Sequence, residues 1–171
     1  MLRAILIGPP GSGKSSVGKA LSRELSTSFA DTDELIAERE GKSIPEIFSE
    51  SGEPGFREIE KEVVLNALKS NYGVLALGGG SILIPEVREA IPASRAQVIF
   101  LRVGISNVLA RIGAKGDRPL LSADPETQWR KIFEEREHIY EELATVEIAT
   151  DNRKPFEVAR DLVVRMGLSR A

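Results

Sequence analysis

The stretch AILIGPPGSGKS, residues 4–15, decides the fold of this chain. Its first four residues are apolar and predict a buried strand, and the eight that follow match the Walker A pattern. Glycines let successive backbone N–H groups point inward at a phosphate, and the helix predicted from Gly13 adds its positive N-terminal end. The strand–loop–helix context at the first strand indicates a nucleotide-binding phosphate loop rather than a chance glycine-rich turn.

Two side chains of this loop carry chemistry. Lys14 can reach the β- and γ-phosphates of a nucleotide, and the Ser15 hydroxyl can ligate Mg²⁺. The residues that we expect to bind ATP here are Gly11, Ser12, Gly13, Lys14, Ser15 and Ser16.

Short apolar runs alternate with amphipathic stretches along the rest of the chain, which is typical of βαβ units around a buried parallel sheet. The predicted strands are Ala4–Ile7, Ser28–Ala30, Val74–Leu77, Val98–Leu101 and Val146–Ala149. The predicted helices lie near Gly13–Leu25, Asp33–Glu40, Ile44–Glu50, Gly55–Leu68, Pro85–Ala90, Ser106–Ile112, Pro125–Leu143 and Pro155–Met166.

The composition suits a single soluble domain over residues 1–171, with 42% apolar and 29% charged residues. A net charge of −3 argues against a nucleic-acid partner but leaves room for a locally positive cleft. The absence of cysteine excludes disulfides, thiolate metal sites and thiol catalysis. Because no apolar run approaches about 20 residues, we expect no membrane partner and a cytoplasmic protein. No long exposed apolar stripe is evident, so we expect a monomer.

The motifs that the chain has and lacks after its predicted strands exclude two classes of P-loop protein. A GTPase needs an Asn-Lys-x-Asp motif, which the chain lacks. Motor-type ATPases end a second apolar strand in Asp-Glu, whereas Val74–Leu77 runs into Gly78-Gly79-Gly80 and Val98–Leu101 into Arg102. A small-molecule kinase remains, with ATP as one substrate and Mg²⁺ as the cofactor.

Two acidic residues follow the second predicted strand, where open α/β sheets place ligand groups. Asp31 and Asp33 are two residues apart on an extended segment, so both carboxylates could face one cleft. Asp31 could hold a magnesium-bound water, and Asp33 could accept the proton of an attacking hydroxyl. The alternative is that one of them only caps the next helix. The glycines 78–80 could likewise admit a ligand to bare backbone, or form a turn.

Two arginines suggest that the acceptor is an acid. Arg136 falls within the apolar stripe of its predicted helix, where a guanidinium is costly unless it is paired. Arg57 begins a helix and has Glu60 one turn later. Guanidinium groups bind carboxylates in bidentate fashion, so both could grip an anionic acceptor, although an internal ion pair such as Arg57 with Glu60 is the alternative.

A loop over Gly113–Leu121, with glycines, a proline and no periodicity, contains Arg118. It is typical of a mobile lid whose arginine swings over the phosphates, and a solvated loop charge is the alternative.

Together these residues resemble the shikimate kinases, a family of nucleoside-monophosphate-kinase-like P-loop proteins. The likeness runs from Ile5 to about Pro155; Ser16, where the family more often has Thr, and Pro9-Pro10 depart from its pattern. The motifs that carry it are Gly8–Ser16, Asp31–Asp33, Gly41–Phe48, Gly52-Glu53, Phe56-Arg57 with Glu60, Gly78–Gly80, Arg118–Leu121, Arg136 with Tyr140, and Asn152-Arg153 with Pro155.

The resemblance implies a three-layer α/β/α P-loop kinase fold around a five-stranded parallel sheet in the order 2-3-1-4-5. It implies a substrate-binding segment within residues 33–60, centred on Ile44–Glu60, and a lid at Gly113–Asp124. The implied reaction transfers the ATP γ-phosphoryl group to the 3-hydroxyl of shikimate, a step of chorismate and aromatic amino acid biosynthesis.

The resemblance also implies roles for individual residues, with Lys14, Asp33 and Arg118 as the catalytic set. Arg57, Arg136 and the backbone of Gly78, Gly79 and Gly80 would bind the carboxylate region of shikimate, and Asp33 its ring hydroxyls. Glu60 would orient Arg57, and Phe48 and Phe56 would wall the pocket. Ser15 would ligate Mg²⁺ directly with Asp31 behind it; Arg111 and Pro155 would sandwich adenine, with Arg153 nearby, and Arg118 would touch the transferring phosphate.

Overall fold

A computed structural model describes residues 1–70, 72–113 and 124–168. Five parallel strands form one sheet in the order β2-β3-β1-β4-β5, which confirms the predicted order. The strands are β1 (Ala4–Ile7), β2 (Phe29–Asp31), β3 (Val74–Ala76), β4 (Gln97–Arg102) and β5 (Val146–Ala149).

Helices connect the strands and cover both faces of the sheet. They are α1 (Lys14–Glu24), α2 (Thr32–Glu40), α3 (Ile44–Leu68), α4 (Pro85–Ala93), α5 (Ile105–Gly113), α6 (Pro125–Leu143) and α7 (Pro155–Met166), with a short 3₁₀ helix at Ser81–Leu83. In the described part of the chain, none is both long and apolar enough to span a bilayer.

Successive side chains of the central strands point to opposite faces of the sheet, so the core is divided into two layers. In β1, Ile5 and Ile7 pack in a cluster with α3, α4 and α6, whereas Ala4 and Leu6 pack in a second cluster with α1 and α7. All four residues are at most 1% exposed, because a parallel strand between two helical layers is buried on both sides. The predicted three-layer α/β/α architecture is therefore confirmed.

The two helices predicted at Ile44–Glu50 and Gly55–Leu68 are both present within α3. They join as α3 across a kink at Gly52, whose φ of 65° and ψ of 179° are not helical. Ile47 and Phe56 lie on either side of the kink and pack with Ile36 of α2 in a small separate cluster.

Gly73 marks the entry to β3, and its close packing generates a stability prediction. A Cβ at this position would lie 2.6 Å from the Cβ of Thr27 and 1.9 Å from its hydroxyl oxygen. The main chain cannot easily retreat, since Gly73 bonds through its N–H to Ser28 and through its carbonyl to Arg3. We expect Gly73→Ala to lower the free energy of unfolding by about 1–3 kcal/mol, measured by urea denaturation.

Gly104→Ala is the matched control, because a Cβ there would meet the Asp151 carboxylate at ordinary contact distances of 3.4–3.8 Å. Equal stability losses in the two variants would show that the packing around Gly73 is not the cause.

Candidate active site

A cleft of about 620 Å³ opens at the edge of the sheet where the carboxyl ends of β1, β2 and β3 meet. Parallel strands bring their following loops to this one edge, so the phosphate loop, the Asp31–Asp33 segment and the three glycines become neighbours. The predicted site residues that line the cleft are Gly11, Gly13, Lys14, Ser15, Ser16, Asp31, Asp33, Phe48, Phe56, Arg57, Glu60, Gly78, Gly79, Gly80 and Arg136.

The phosphate loop wraps the start of α1 at one end of the cleft. Gly11 and Gly13 have φ values of 80° and 92°, a left-handed conformation that side-chain-bearing residues rarely adopt. Gly13 caps α1, so the positive end of that helix faces the cleft. The Lys14 ammonium donates to the carbonyls of Gly8 (2.9 Å) and Pro9 (3.0 Å), which places its charge beside the loop.

Asp31 caps α2, which is the alternative that the sequence left open, and it also contacts Ser15. One carboxylate oxygen accepts the N–H of Asp33 at 2.9 Å and thereby caps α2. The other accepts the hydroxyl of Ser15, the residue predicted to ligate Mg²⁺. The cap orients the carboxylate so that a hydroxyl and a carboxylate, both hard oxygen donors, stand together beside the phosphate loop.

Arg57 is held by a chain of side chains behind the cleft. Its guanidinium pairs with Glu60, which is only 1% exposed, and with the exposed Glu53 at 3.3 Å. The second oxygen of Glu60 accepts the buried Ser81 hydroxyl at 2.6 Å. The predicted internal ion pair is therefore present. It holds the guanidinium at the cleft wall, which is also what an anion-binding role requires.

The glycine segment 78–80 leaves room for these charged groups. A Cβ at Gly80 would lie 2.5 Å from the Arg57 guanidinium, and one at Gly78 would lie 2.8 Å from Asp33 and 2.9 Å from Glu60. The backbone thus approaches two carboxylates and a guanidinium more closely than any side chain allows. The segment continues into the 3₁₀ helix at Ser81, so it is not a hairpin turn.

Arg136 reaches the cleft from α6 and is 6% exposed. It forms no ion pair with any carboxylate in the described ranges, and its Nε is buried without a hydrogen-bond partner. Its neighbour Tyr140 is fully buried and donates its hydroxyl to the Gly79 carbonyl at 2.6 Å. Unlike Arg57, Arg136 therefore brings to the cleft a buried charge that no described side chain neutralises.

Two aromatic rings form an apolar part of the cleft wall. Phe48 and Phe56 stack with their centroids 4.4 Å apart, and Phe56 lies under the Arg57 guanidinium at 5.4 Å. An apolar wall lowers the local dielectric and so strengthens the pull of the arginines on an anion.

The residues that the resemblance assigned to adenine lie outside the cleft lining. Arg111 of α5 donates to the carbonyls of Gly11 (2.7 Å) and Thr150 (3.0 Å), behind the phosphate loop. Pro155 is the first residue of α7, and Arg153 before it pairs with Asp161. Ser12 is buried and bonds through its carbonyl to Thr150. Arg118 and nearly all of the predicted lid, Gly113–Asp124, lie outside the described residues.

The contacts of two further residues near this site were not predicted. Trp129 donates its indole N–H to the Pro10 carbonyl at 2.9 Å, and Tyr140 holds Gly79. Both share the apolar stripe of α6 with Arg136, seven and four residues away. Their polar atoms on a core-facing stripe were the available signal, because buried Trp and Tyr usually find a hydrogen-bond partner.

Comparison with known proteins gives one consistent family. A model of the family described as "Shikimate kinase" matches residues 10–166. The Streptomyces coelicolor shikimate kinase is 45% identical over 156 residues, which cover 91% of this chain and 90% of that protein. The Rhodococcus erythropolis shikimate kinase is 42% identical, covering 96% of each chain.

Solved structures agree. A shikimate kinase from Acinetobacter baumannii in complex with shikimate superposes with a TM-score of 0.91 at 34% identity, covering 98% of this chain and 94% of that one. The Aquifex aeolicus shikimate kinase gives 0.80 at 32% identity, with 97% and 96% covered. A gluconokinase from Sinorhizobium meliloti gives 0.59 at 20% identity, with 97% and 91% covered, and shares the fold alone.

The buried phenol of Tyr140 generates a prediction about pH. Burial raises the pKa of Tyr140 to about 12, against the partial opposing effect of Arg136. On unfolding the phenol returns to its ordinary pKa of about 10, so deprotonation favours the unfolded chain and stability falls as pH rises between these values. In a tyrosinate absorbance titration, the difference between wild type and Tyr140→Phe should show a phenol that ionises near 12.

A difference curve centred on the ordinary tyrosine value would mean that water reaches the Tyr140 hydroxyl. Loss of stability with rising alkaline pH should also be shallower in Tyr140→Phe than in wild type.

Proposed function

The chain belongs to the shikimate kinase family, and we propose that it transfers the γ-phosphoryl group of ATP to the 3-hydroxyl of shikimate. The observation that carries the acceptor is the buried guanidinium of Arg136, whose Nε has no partner. An acid bound in the cleft supplies the missing negative charge to this guanidinium. Arg57 lines the same cleft and binds the second carboxylate oxygen in this proposal.

The other residues that line the cleft suit the hydroxyl groups and the apolar part of the shikimate ring. Asp33 lies beside Gly78, between the phosphate loop and the arginines, and accepts hydrogen bonds from ring hydroxyls. The Phe48–Phe56 stack packs against the apolar part of the ring, and the backbone of Gly79 and Gly80 contacts its carboxylate side. This places the acid end at α6 and the reacting hydroxyl toward the phosphate loop.

The nucleotide half rests on the phosphate loop and the start of α1. Its inward N–H groups and the Lys14 ammonium neutralise the β- and γ-phosphates. Ser15 would hold Mg²⁺ through its hydroxyl, Asp31 would orient that hydroxyl, and the metal would offset the charge of the phosphates. Among the described residues there is no cluster of three or more acidic or histidine side chains fit to hold a metal. Mg²⁺ bound beside a nucleotide usually keeps phosphate oxygens and water as its other ligands.

The reaction is an in-line displacement at phosphorus. The 3-hydroxyl oxygen forms a bond to the γ-phosphorus while the bond to the β–γ bridging oxygen breaks, and that oxygen leaves with its electron pair on ADP. The hydroxyl proton passes to Asp33 and then to solvent. Lys14 offsets the charge that moves onto the phosphate oxygens, and Arg118 does the same from the lid.

Further roles follow from the family. Arg111 and Pro155 hold adenine with Arg153 nearby, and residues 113–124 close over the phosphates to keep water from competing for ATP. Residues 33–60 form the substrate-binding segment of a single domain spanning 1–171. We also propose a cytoplasmic monomer that acts in chorismate biosynthesis.

Removing Arg136 tests the acceptor assignment. Arg136→Ala should raise the KM for shikimate by about tenfold to a hundredfold, because a hydrogen-bonded charge contributes about 1.5–3 kcal/mol, and leave the KM for ATP near wild type. Arg130→Ala is the matched control: Arg130 lies on the same helix but is exposed, and within the described residues its ion pair is with Glu126. Coupled ADP release measures both constants.

A shikimate ester that lacks the charged carboxylate sharpens this test. The ester should be a poor substrate for the wild type. Its kcat/KM should fall little further in Arg136→Ala. An equal additional loss on ester and acid would contradict the carboxylate assignment. Shikimate should exceed gluconate by orders of magnitude in the same assay. Heat protection by shikimate without ADP production would instead indicate a non-catalytic sensor.

The metal assignment has its own test. Ser15→Ala should raise the Mg²⁺ concentration needed for half-maximal activity by about tenfold or more, since it removes one ligand and releases Asp31. Ser15→Thr keeps the hydroxyl and should stay near wild type. Titration of Mg²⁺ at fixed ATP gives the values, and an unchanged requirement in Ser15→Ala would exclude Ser15 as a ligand.

A further inference from the structure

Trp129 connects α6 to the phosphate loop through one hydrogen bond. Its indole N–H donates to the Pro10 carbonyl at 2.9 Å, although the two residues are 119 positions apart. The ring is 3% exposed, stacks on Phe133 with centroids 5.0 Å apart and packs against Val103 and Val108. Because the ring is packed on all these sides, the direction of its N–H is fixed.

This hydrogen bond sets the orientation of the next amide. In a trans peptide the C=O and N–H point in opposite directions, and the described chain contains no cis peptide. Holding the Pro10 carbonyl toward α6 therefore turns the Gly11 N–H away from α6. Gly11 lines the cleft, and its N–H donates to no main-chain acceptor among residues 1–70, 72–113 and 124–168. It is free to bind a phosphate oxygen.

A second side chain of α6 orients a peptide of the glycine segment 78–80. The Tyr140 hydroxyl holds the Gly79 carbonyl at 2.6 Å, which turns the Gly80 N–H away from the Tyr140 hydroxyl. The two loops also touch, since a Cβ at Gly79 would lie 3.4 Å from both the Gly8 carbonyl and the Pro10 ring. Between these two anchors α6 carries Arg136. One rigid helix thus contacts the nucleotide loop, the acid pocket and the segment between them.

We propose that Trp129 is a positioning residue for phosphoryl transfer: its N–H fixes the Pro10–Gly11 peptide so that the Gly11 amide faces the phosphates. Because α6 also carries Arg136, the contact keeps the phosphate loop at a set distance from the bound acid. The inference rests on the proposed function for its effect on turnover. Its effect on nucleotide affinity needs no acceptor.

The chain offers an atomic test, because Trp129 is its only tryptophan. Expression in a tryptophan auxotroph can replace it with 3-benzothienylalanine, in which sulfur takes the place of the indole N–H while the ring system is retained. 7-Azatryptophan keeps the N–H and is the matched control. Thermal melting of both proteins verifies that each is folded, and Trp129→Phe provides a second variant that lacks the donor.

The sulfur analogue should raise the Kd for ADP-Mg²⁺, measured calorimetrically without shikimate, by about three- to tenfold, the effect of one lost hydrogen bond. It should lower kcat by a similar or larger factor and leave the Kd for shikimate alone unchanged. 7-Azatryptophan should restore both values. Tyr140→Phe should show the opposite pattern, with a raised KM for shikimate and an unchanged Kd for ADP-Mg²⁺.

Two results would overturn the proposal. Unchanged nucleotide affinity and kcat in the sulfur analogue would show that the N–H positions nothing. Equal losses with 7-azatryptophan would assign the effect to ring packing. If the wild type failed to phosphorylate shikimate, the proposed function would fall, but the nucleotide Kd values would still decide the role of Trp129.

Discussion

The buried guanidinium of Arg136 is the interaction on which the site depends. Removing a charge from water costs several kcal/mol unless a partner compensates. Here the described chain supplies no carboxylate, and Nε has no acceptor. Arg57, by contrast, is held by Glu60 and through it by Ser81. The pocket therefore contains one arginine that is already neutralised and one that still lacks an anion. In the proposed function, an acid that enters the cleft pairs with Arg136 and is oriented by Arg57.

The parallel sheet places this pocket next to the phosphate loop. Parallel strands end at one edge, so the loops after β1, β2 and β3 share a cleft although they are far apart in sequence. Helix α6 then fixes the relative position of two of these loops, through Trp129 to Pro10 and Tyr140 to Gly79. Phosphoryl transfer is sensitive to the distance between the attacking oxygen and phosphorus, so a rigid connection between the two halves matters more than any single contact.

Much of this was predictable because it depends on local pattern. The phosphate loop follows from its glycines and Lys14, the strands from their apolar runs, and the position of Arg136 in the cleft from its place in an apolar stripe. The interruption of α3 at Gly52 lies in the gap between the two predicted helices, where a glycine and a proline end the first helical pattern; only its backbone geometry was not predicted. The contacts of Trp129 and Tyr140 were missed for another reason. Their partners are main-chain carbonyls distant in sequence. Because every residue has such a carbonyl, the residue type does not indicate which one accepts a hydrogen bond.

The most direct test of the account is a crystal structure of the chain with shikimate and a non-hydrolysable ATP analogue. The account predicts that the shikimate carboxylate accepts a hydrogen bond from the Arg136 guanidinium at about 2.7–3.2 Å and contacts Arg57, with the 3-hydroxyl directed at the γ-phosphate. A bound shikimate whose carboxylate lies away from Arg136, with that guanidinium still lacking an anion, would contradict it.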